Sequence, residues 1–285
     1  MITAFALAIA TIAADTTVPA TKSQRLDINV FAGSVTVRTW NRDAVKVEGA
    51  TSGRDQLDVE ARVNTISIET SGRHGPANDA DLVVTVPVGM PIDVSGVELD
   101  VVIENCRCAM HVETVQGDVR ATGGEGSVQL SSVEGSVTVS TVNGNLRATS
   151  VNDDVSVRDV TGDVSVETVN GDVTLERIRS GNVEGSTVNG DITFDGEVRK
   201  GGSYGLTSHQ GDITMVVPAN LAATIRVNTF NGSFESDFAV TLSGQNGRNR
   251  RLTFALGAGG ATIDLESFSG DIRLVKPGSR LDRKD

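Results

Sequence analysis

The stretch that decides the fold runs from residue 114 to residue 195. Written in nines, with one unit of ten, it reads TVQGDVRAT GGEGSVQLS SVEGSVTVS TVNGNLRAT SVNDDVSVR DVTGDVSVE TVNGDVTLE RIRSGNVEGS TVNGDITFD. Most units carry Gly in the fourth place and apolar residues in the sixth and eighth places. Alternation with a period of two puts the apolar side chains on one face of a strand. Gly, Asn and Asp then allow the chain to turn, so each unit predicts one short strand and one corner.

Stacking these units would bury a continuous core, which a strand of about five residues cannot do alone. The repeat therefore predicts an all-β fold, a parallel β-helix or β-solenoid of nine-residue units. An antiparallel meander is the alternative, because Asn-Gly also forms hairpins, but it does not explain a phase held over so many units. Residues 114–122 match residues 141–149 best. These two segments begin three units apart, which favours three units per coil, about 27 residues. Two units per coil, about 18 residues, is the alternative.

The repeat fades towards both ends of the chain, as capping coils of a solenoid do. We predict irregular capping strands at 15–95, regular repeats at 96–200, a second capping region at 201–275 and a tail at 276–285, all in one continuous domain. We predict a signal peptide at 1–14, because residues 2–14 form an apolar run of the length of a signal-peptide h-region, although no Lys or Arg precedes it. We predict export to the periplasm, the cell surface or the medium. A buried N-terminal strand is the alternative for this run.

The formal charge of −12 argues against a nucleic-acid partner, because phosphate binding needs a basic surface. Two cysteines, Cys106 and Cys108, are the whole thiol inventory. In an extended strand, side chains two residues apart are too distant to bridge easily. We therefore predict a buried Cys106, a Cys108 at a corner and no disulfide between them.

Five segments outside the regular repeats are distinctive: VFAGSVTVRTW (30–40), LVVTVPVGMPIDV (82–94), GDITMVVPANLAATIRV (211–227), TFNGS (229–233) and GGATIDLESFSGDIRL (259–274). Through these segments the sequence resembles the bacterial putative-adhesin family, a β-helical domain of unknown function in envelope and surface proteins. The resemblance implies a β-helical fold and an envelope location. It implies adhesion only through the family name, and it transfers no catalytic or binding residue.

The corner aspartates are the best constellation for chemistry, since a ladder of carboxylates could bind Ca²⁺. They are Asp118, Asp154, Asp163, Asp172, Asp191, Asp212 and Asp271. Calcium β-rolls use a different nonapeptide with two more glycines, so we expect these carboxylates to accept backbone N–H groups instead. We predict no catalytic residue, no cofactor and no metal site. A β-helical polysaccharide lyase is the enzyme alternative, and an envelope-stress sensor is another.

These observations predict a non-catalytic, adhesin-like binding surface or envelope scaffold. The expected partner is an envelope or cell-surface protein or polysaccharide, with no membrane contact after signal removal. Two sets of residues are candidates for the interaction surface. They are the basic loop residues Arg248, Arg250 and Arg251, and the hydroxyl ladder Thr114, Thr141, Thr168 and Thr187.

Overall fold

A computed structural model describes residues 10–11, 14–51, 56–71, 79–239 and 250–279. Within these ranges every regular element is a β-strand, which confirms the all-β prediction. The chain divides into two compact units, Met1–Gly135 and Ser136–Asp285. Most of the predicted signal peptide, at 1–9 and 12–13, lies outside the described residues, as does the end of the tail at 280–285. The signal peptide therefore stays a prediction.

The first unit contains eleven described strands. They are β1 (Ala10–Thr11), β2 (Ala14–Pro19), β3 (Arg25–Trp40), β4 (Ala44–Thr51), β5 (Gln56–Ala61), β6 (Thr65–Ser71), β7 (Ala80–Pro87), β8 (Ile92–Cys106), β9 (Met110–Glu113), β10 (Val119–Gly123) and β11 (Glu125–Ser131). The long strand β3 pairs in parallel with β6, β7 and β8. Antiparallel pairs of β2 with β4, β4 with β7, and β5 with β6 precede the parallel ladder. From β8 onwards the pairing is parallel, to β9 and β10, and then from β9 to β11.

The second unit contains thirteen described strands. They are β12 (Val137–Thr149), β13 (Val155–Thr161), β14 (Val164–Glu167), β15 (Val173–Ile178), β16 (Asn182–Asn189), β17 (Ile192–Gly196), β18 (Ser203–Gln210), β19 (Ile213–Val216), β20 (Ala223–Asn231), β21 (Phe234–Ser236), β22 (Arg250–Leu256), β23 (Ala261–Ser269) and β24 (Ile272–Val275). One parallel sheet runs through β12, β14, β16, β18, β23 and β20. The other runs through β12, β13, β15, β17, β19, β24 and β21.

The strand register of the second unit corrects the predicted coil length. Val137 pairs with Val155, and Val155 pairs with Val173, so partners lie two nine-residue units apart. The preference for three units per coil is wrong, because two units complete each turn of the stack. The ten-residue unit at 177–186 lengthens one step, and Val173 accordingly pairs with Ile192.

The last coils of the second unit stack out of chain order. Strand β18 pairs with β23, and β23 pairs with β20, so the final coil inserts between two earlier ones. Strand β22 then pairs antiparallel with β20. The widely spaced corners at Gly211, Gly232 and Gly270 therefore do repeat the solenoid corner, in the spatial order Gly211, Gly270, Gly232.

The core of the second unit lies between its two parallel sheets, where the sixth and eighth residues of the repeat point. Val155 and Val157 are buried, as the alternation predicts. Phe194 and Tyr204 come from opposite sheets and meet edge to face, with ring centroids 5.9 Å apart. The Tyr204 hydroxyl donates to the Ser180 carbonyl at 2.7 Å, and burial raises the pKa of this phenol. The interior is therefore apolar, and its one phenol is hydrogen-bonded.

One corner of each coil is a column of tightly stacked glycines. A Cβ atom on Gly190 would overlap the carbonyl of Gly171, and a Cβ on Gly211 would overlap the carbonyl of Gly190. Backbone hydrogen bonds hold the corners together, since the Gly190 amide donates to Gln210 at 2.9 Å. The absence of a side chain allows this approach, because a methyl group on these glycines would overlap the backbone of the neighbouring coil. Asp153 takes the same place beneath Gly171, at the start of the second unit.

At the opposite corner, one residue in each coil has a left-handed backbone conformation. In the second compact unit these residues are Thr141, Asp159 and Arg177, with φ of 64°, 55° and 52°. Such a conformation is unusual for non-glycine residues and least favourable for β-branched ones. Arg177 and Asp159 form a two-point ion pair from adjacent coils, with Nε to Oδ1 at 2.7 Å. The Arg177 guanidinium holds the pKa of the Asp159 carboxyl below its ordinary value.

The disulfide is a second correction to the sequence-based predictions. Cys106 and Cys108 are bonded to each other, and both are buried. Their Cα atoms are 5.4 Å apart, within the usual range for a disulfide. The chain leaves strand geometry at Asn105, whose φ is 51°. The prediction of no disulfide assumed that both cysteines lie in an extended strand. The chain instead turns after Asn105, and the turn brings the two cysteines close enough to bond.

We expect Gly190→Ala to destabilise the protein by about 1–3 kcal/mol, because the new methyl group overpacks the corner. Gly205→Ala is the matched control. Gly205 lies in β18, where an added methyl group would meet no atom outside the adjoining residues within 4 Å, so its substitution is expected to change the free energy of unfolding by less than about 0.5 kcal/mol. Equilibrium urea unfolding measures both values. Equal effects of the two substitutions would contradict the stacked-corner geometry.

The disulfide also predicts the number of free thiols in the purified protein. Titration of the unreduced, denatured protein is expected to find no free thiol, and the intact mass to be two hydrogen atoms below that of the reduced chain. Reduction should release both thiols. A chain purified under oxidising conditions with two free thiols would show that Cys106 and Cys108 are not bonded.

Candidate interaction surface

The structure buries three of the four threonines that the sequence placed on an outer face. Thr114, Thr168 and Thr187 are each less than 5% exposed. Their hydroxyls donate to corner carbonyls of the preceding coil, as Thr168 does to Asp153 at 2.9 Å and Thr187 to Gly171 at 3.0 Å. That placement is therefore corrected, because these hydroxyls satisfy backbone groups inside the corner.

Thr141 belongs to a different row from the other three threonines. It is exposed, and it occupies the left-handed position at the opposite corner. The local sequence does not reveal this difference, since TVNG occurs at 141–144, at 168–171 and at 187–190. The distinction depends on which corner of the coil the tetrapeptide occupies.

The predicted basic loop is only partly described. Arg248 lies outside the described residues, as does the rest of 240–249. Arg250 begins β22, and Arg251 follows it, exposed and paired in register with Asn228 of β20. The role of these three arginines in binding stays a prediction.

The corner aspartates form a hydrogen-bonded ladder in the second unit. Each Oδ1 accepts the backbone N–H of the next coil, as Asp172 does from Asp191 at 2.8 Å and Asp191 does from Asp212 at 2.8 Å. At the end of the ladder, the backbone N–H and the hydroxyl of Ser233 both donate to Asp271, and these bonds lower the pKa of that carboxyl. Asp163 lies at the opposite corner and is not part of this ladder.

This geometry agrees with the expected structural role of the aspartates. One oxygen of each ladder carboxylate is already committed to a backbone amide, so it is oriented along the stack. At the ladder's end, Arg273 Nη1 lies 3.2 Å from Asp212 Oδ2. Among the described residues, no group of three or more His, Cys, Asp or Glu side chains is placed to hold a metal ion.

An exposed row of apolar and aromatic side chains runs along the same corner of the second unit, immediately after the buried hydroxyls. We call this row the ridge, and in spatial order its members are Val151, Val169, Val188, His209, Phe268 and Phe230. Every member comes from the middle of a tripeptide whose first residue points inward. Val169 is 36% exposed, Phe230 45% and Phe268 47%. Single exposed apolar residues are normal, whereas a contiguous row is a candidate interaction site.

The ridge lies within an uncharged strip. Its six tripeptides read SVN (150–152), TVN (168–170), TVN (187–189), SHQ (208–210), SFS (267–269) and TFN (229–231). The third residues form a row of exposed polar side chains beside the ridge, mostly amides. Asn170 donates to Asn152 at 3.0 Å, and Asn189 donates to Asn170 at 2.7 Å. The strip therefore offers apolar contact and neutral hydrogen-bonding groups side by side.

One end of the ridge is aromatic. The rings of Phe230 and Phe268 are stacked, with centroids 5.0 Å apart and planes 5° from parallel. The His209 ring lies 4.8 Å from Phe268. Because Phe230 and Phe268 pack face to face along the stack, this end presents ring edges to the outside.

The first unit has a shorter row of the same kind, but with acidic neighbours. Val97, Val115 and Val133 are between 37% and 44% exposed. The residues that follow them are Glu98, Gln116 and Glu134. An uncharged strip is thus a property of the second unit, and its ridge is the candidate interaction surface.

The sequence analysis missed the ridge because it treated one apolar position as uniform. Val142 and Val160 share that position with Val151 and Val169, yet they are buried. Successive nine-residue units lie in opposite sheets, so their corners face different surroundings. Sorting the units into alternate sets, as a coil of two units requires, would have separated the exposed valines from the buried ones.

Outward-facing hydroxyls do exist, in a row that the sequence analysis did not single out. In the sheet that contains β13, β15 and β17, these residues are Thr138, Ser156, Thr174, Thr193 and Thr214, paired in register. They occupy the seventh place of the repeat, between the two core residues.

Within the described ranges there is no helix with the length and apolar character needed to cross a membrane.

Two solved structures align with most of this chain, although their sequence identity to it is low. One, described as a putative adhesin from Bacteroides fragilis, is 14% identical, with coverage of 92% of this chain and 95% of its own and a TM-score of 0.43. The other, described as a putative cell adhesion protein from Clostridium sporogenes, is 9% identical, with coverage of 92% and 98% and a TM-score of 0.28. Both TM-scores are too low to support an argument about fold or function.

The comparison with curated proteins found no match. The comparison with family models found one that spans most of the chain, from residue 23 to residue 275, and is described as Toastrack DUF4097. This match confirms the resemblance to an adhesin-like domain of unknown function. On that evidence, the chain belongs to the Toastrack DUF4097 family.

Proposed function

We propose that this protein is an exported, non-catalytic binding module that contacts a macromolecule of the cell envelope or cell surface through the ridge. The observation that carries the proposal is the contiguous exposed row from Val151 to Phe230 within a strip that has no charged residue. Burial of exposed apolar area drives association, at roughly 25 cal/mol per Å².

Rigidity of the support favours this role. From Val169 to Phe268 the ridge backbone lies between parallel neighbours, and the hydroxyls of Thr168 and Thr187 bond their coils to the preceding ones at the same corner. A surface held in this way loses little conformational entropy when a partner binds. An extended solenoid face also suits a long or repetitive partner.

The disulfide supports the exported location. Disulfides persist in oxidising compartments and are rare in the cytosol. The bonded pair of Cys106 and Cys108 therefore fits a protein that matures outside the cytoplasm.

A pull-down from envelope extract tests the proposal with two matched variants. Val169→Lys/Val188→Lys places two charges on the ridge, and Thr174→Lys/Thr193→Lys places two on the outer face of the other sheet. We expect one envelope component to be recovered by the wild type and by the threonine variant, and its recovery to fall at least about tenfold with the ridge variant. The recovered component must then bind saturably in purified form.

The folded state of each variant is checked by circular dichroism and thermal unfolding. Equal recovery by the two folded variants would refute the ridge as the binding surface. Loss with the threonine variant alone would assign the binding to the other sheet.

A further inference from the structure

We infer that the ridge binds a second copy of this chain, ridge against ridge, in a weak and reversible association. This inference rests on the proposed function and names the partner that the ridge fits best. Three features of the strip point to it: its period, its self-complementary chemistry and its lack of charge on an acidic protein.

The period of the ridge selects a partner with the same spacing. Its side chains repeat once per coil, at the distance of about 4.8 Å between hydrogen-bonded strands. The Phe268 ring follows this period, with neighbours at 4.8 Å and 5.0 Å. A second ridge has the same repeat, so contacts made at one coil recur at the next, as in paired β-sheets whose side chains interdigitate.

The chemistry of the strip complements itself. Valines and phenylalanines can pack against the same residues of another copy. The Asn152, Asn170 and Asn189 amides each carry both donors and acceptors, so an identical row satisfies them in an isologous, two-fold arrangement. A glycan is a poorer fit to the aromatic end, because the stacked faces of Phe230 and Phe268 are turned to each other.

Charge restricts where two copies can meet. With a formal charge of −12, two molecules repel each other over most approaches. The ladder from Asp154 to Asp271 illustrates this, since it lies only two residues beyond the amide row. The ridge strip itself carries no formal charge with His209 neutral, so contact there brings no like charges of the strip together. Salt screens the remaining repulsion, so association is expected to strengthen with ionic strength.

The size of the ridge sets the strength of the association. Five coil-to-coil steps of about 4.8 Å give a length of about 24 Å. A strip about 10 Å wide then covers on the order of 250 Å² per copy, well below the roughly 800 Å² per partner of a stable complex. The association is therefore transient in solution, and many copies on one surface would strengthen it through multivalency.

Sedimentation velocity of the full chain tests the inference, at protein concentrations from about 10 μM to about 1 mM. We expect the average mass of the wild type to rise with concentration, and to rise more at about 0.5 M salt than at about 0.05 M salt. Val169→Lys/Val188→Lys is expected to stay monomeric, and Thr174→Lys/Thr193→Lys to behave as the wild type. Both variants change the formal charge equally, from −12 to −10, because each adds two lysines.

A further variant provides a test that does not depend on the folding of Val169→Lys/Val188→Lys. Val169→Thr/Val188→Thr keeps the shape of both side chains and is expected to weaken association several-fold. A wild type that stays monomeric at about 1 mM and about 0.5 M salt would overturn the inference, as would association that survives in the folded lysine variant or weakens with salt. If the chain does not self-associate but a different envelope component is recovered through the ridge, the proposed function stands with another partner. Self-association that needs the ridge, with no ridge-dependent recovery from extract, would confine the ridge to contact between copies.

Discussion

In the regular repeats, the parallel pairing of each strand with the strand two repeat units later is the interaction on which the rest of the structure depends. It places equivalent residues directly above one another, as Val137, Val155 and Val173 show. Rows of identical chemistry follow from that register: a glycine column, an aspartate ladder, a line of buried hydroxyls and the ridge. The aspartates and the buried hydroxyls form hydrogen bonds with the backbone of a neighbouring coil, so these side chains stabilise that coil as well as their own.

The corner explains why an apolar row reaches the surface at all. Thr168 turns inward to bond a carbonyl, and the stacked glycine at 171 needs space, so Val169 between them must point outward. Nothing in this geometry requires the outward residue to be apolar, since a polar side chain would fold equally well there. Folding therefore does not explain the valines and phenylalanines along the coils of the second unit, whereas the proposed binding role would.

The sequence was sufficient for the strand, the corner and the inward positions, because a period of two and a fixed Gly are local signals. Val155 and Val157 lie where the alternation placed them. It was insufficient wherever the answer depended on which sheet a unit joins. The tetrapeptide TVNG buries Val142 at one corner and exposes Val169 at the other, because the neighbouring coil, not the local sequence, sets the environment. The disulfide was missed for a related reason, since the corner after Asn105 is a tertiary feature.

Disulfide trapping between engineered cysteines tests the two-unit register most directly, in a background where Cys106 and Cys108 are replaced by serine. Ser156→Cys/Thr174→Cys joins two residues that pair across adjacent coils, so mild oxidation is expected to link them in nearly every molecule. Arg147→Cys/Thr174→Cys joins residues on different sheets that a coil of three units would place side by side, and it is expected to remain reduced. Rapid linkage of the second pair, with none in the first, would contradict the register and with it the assignment of every row.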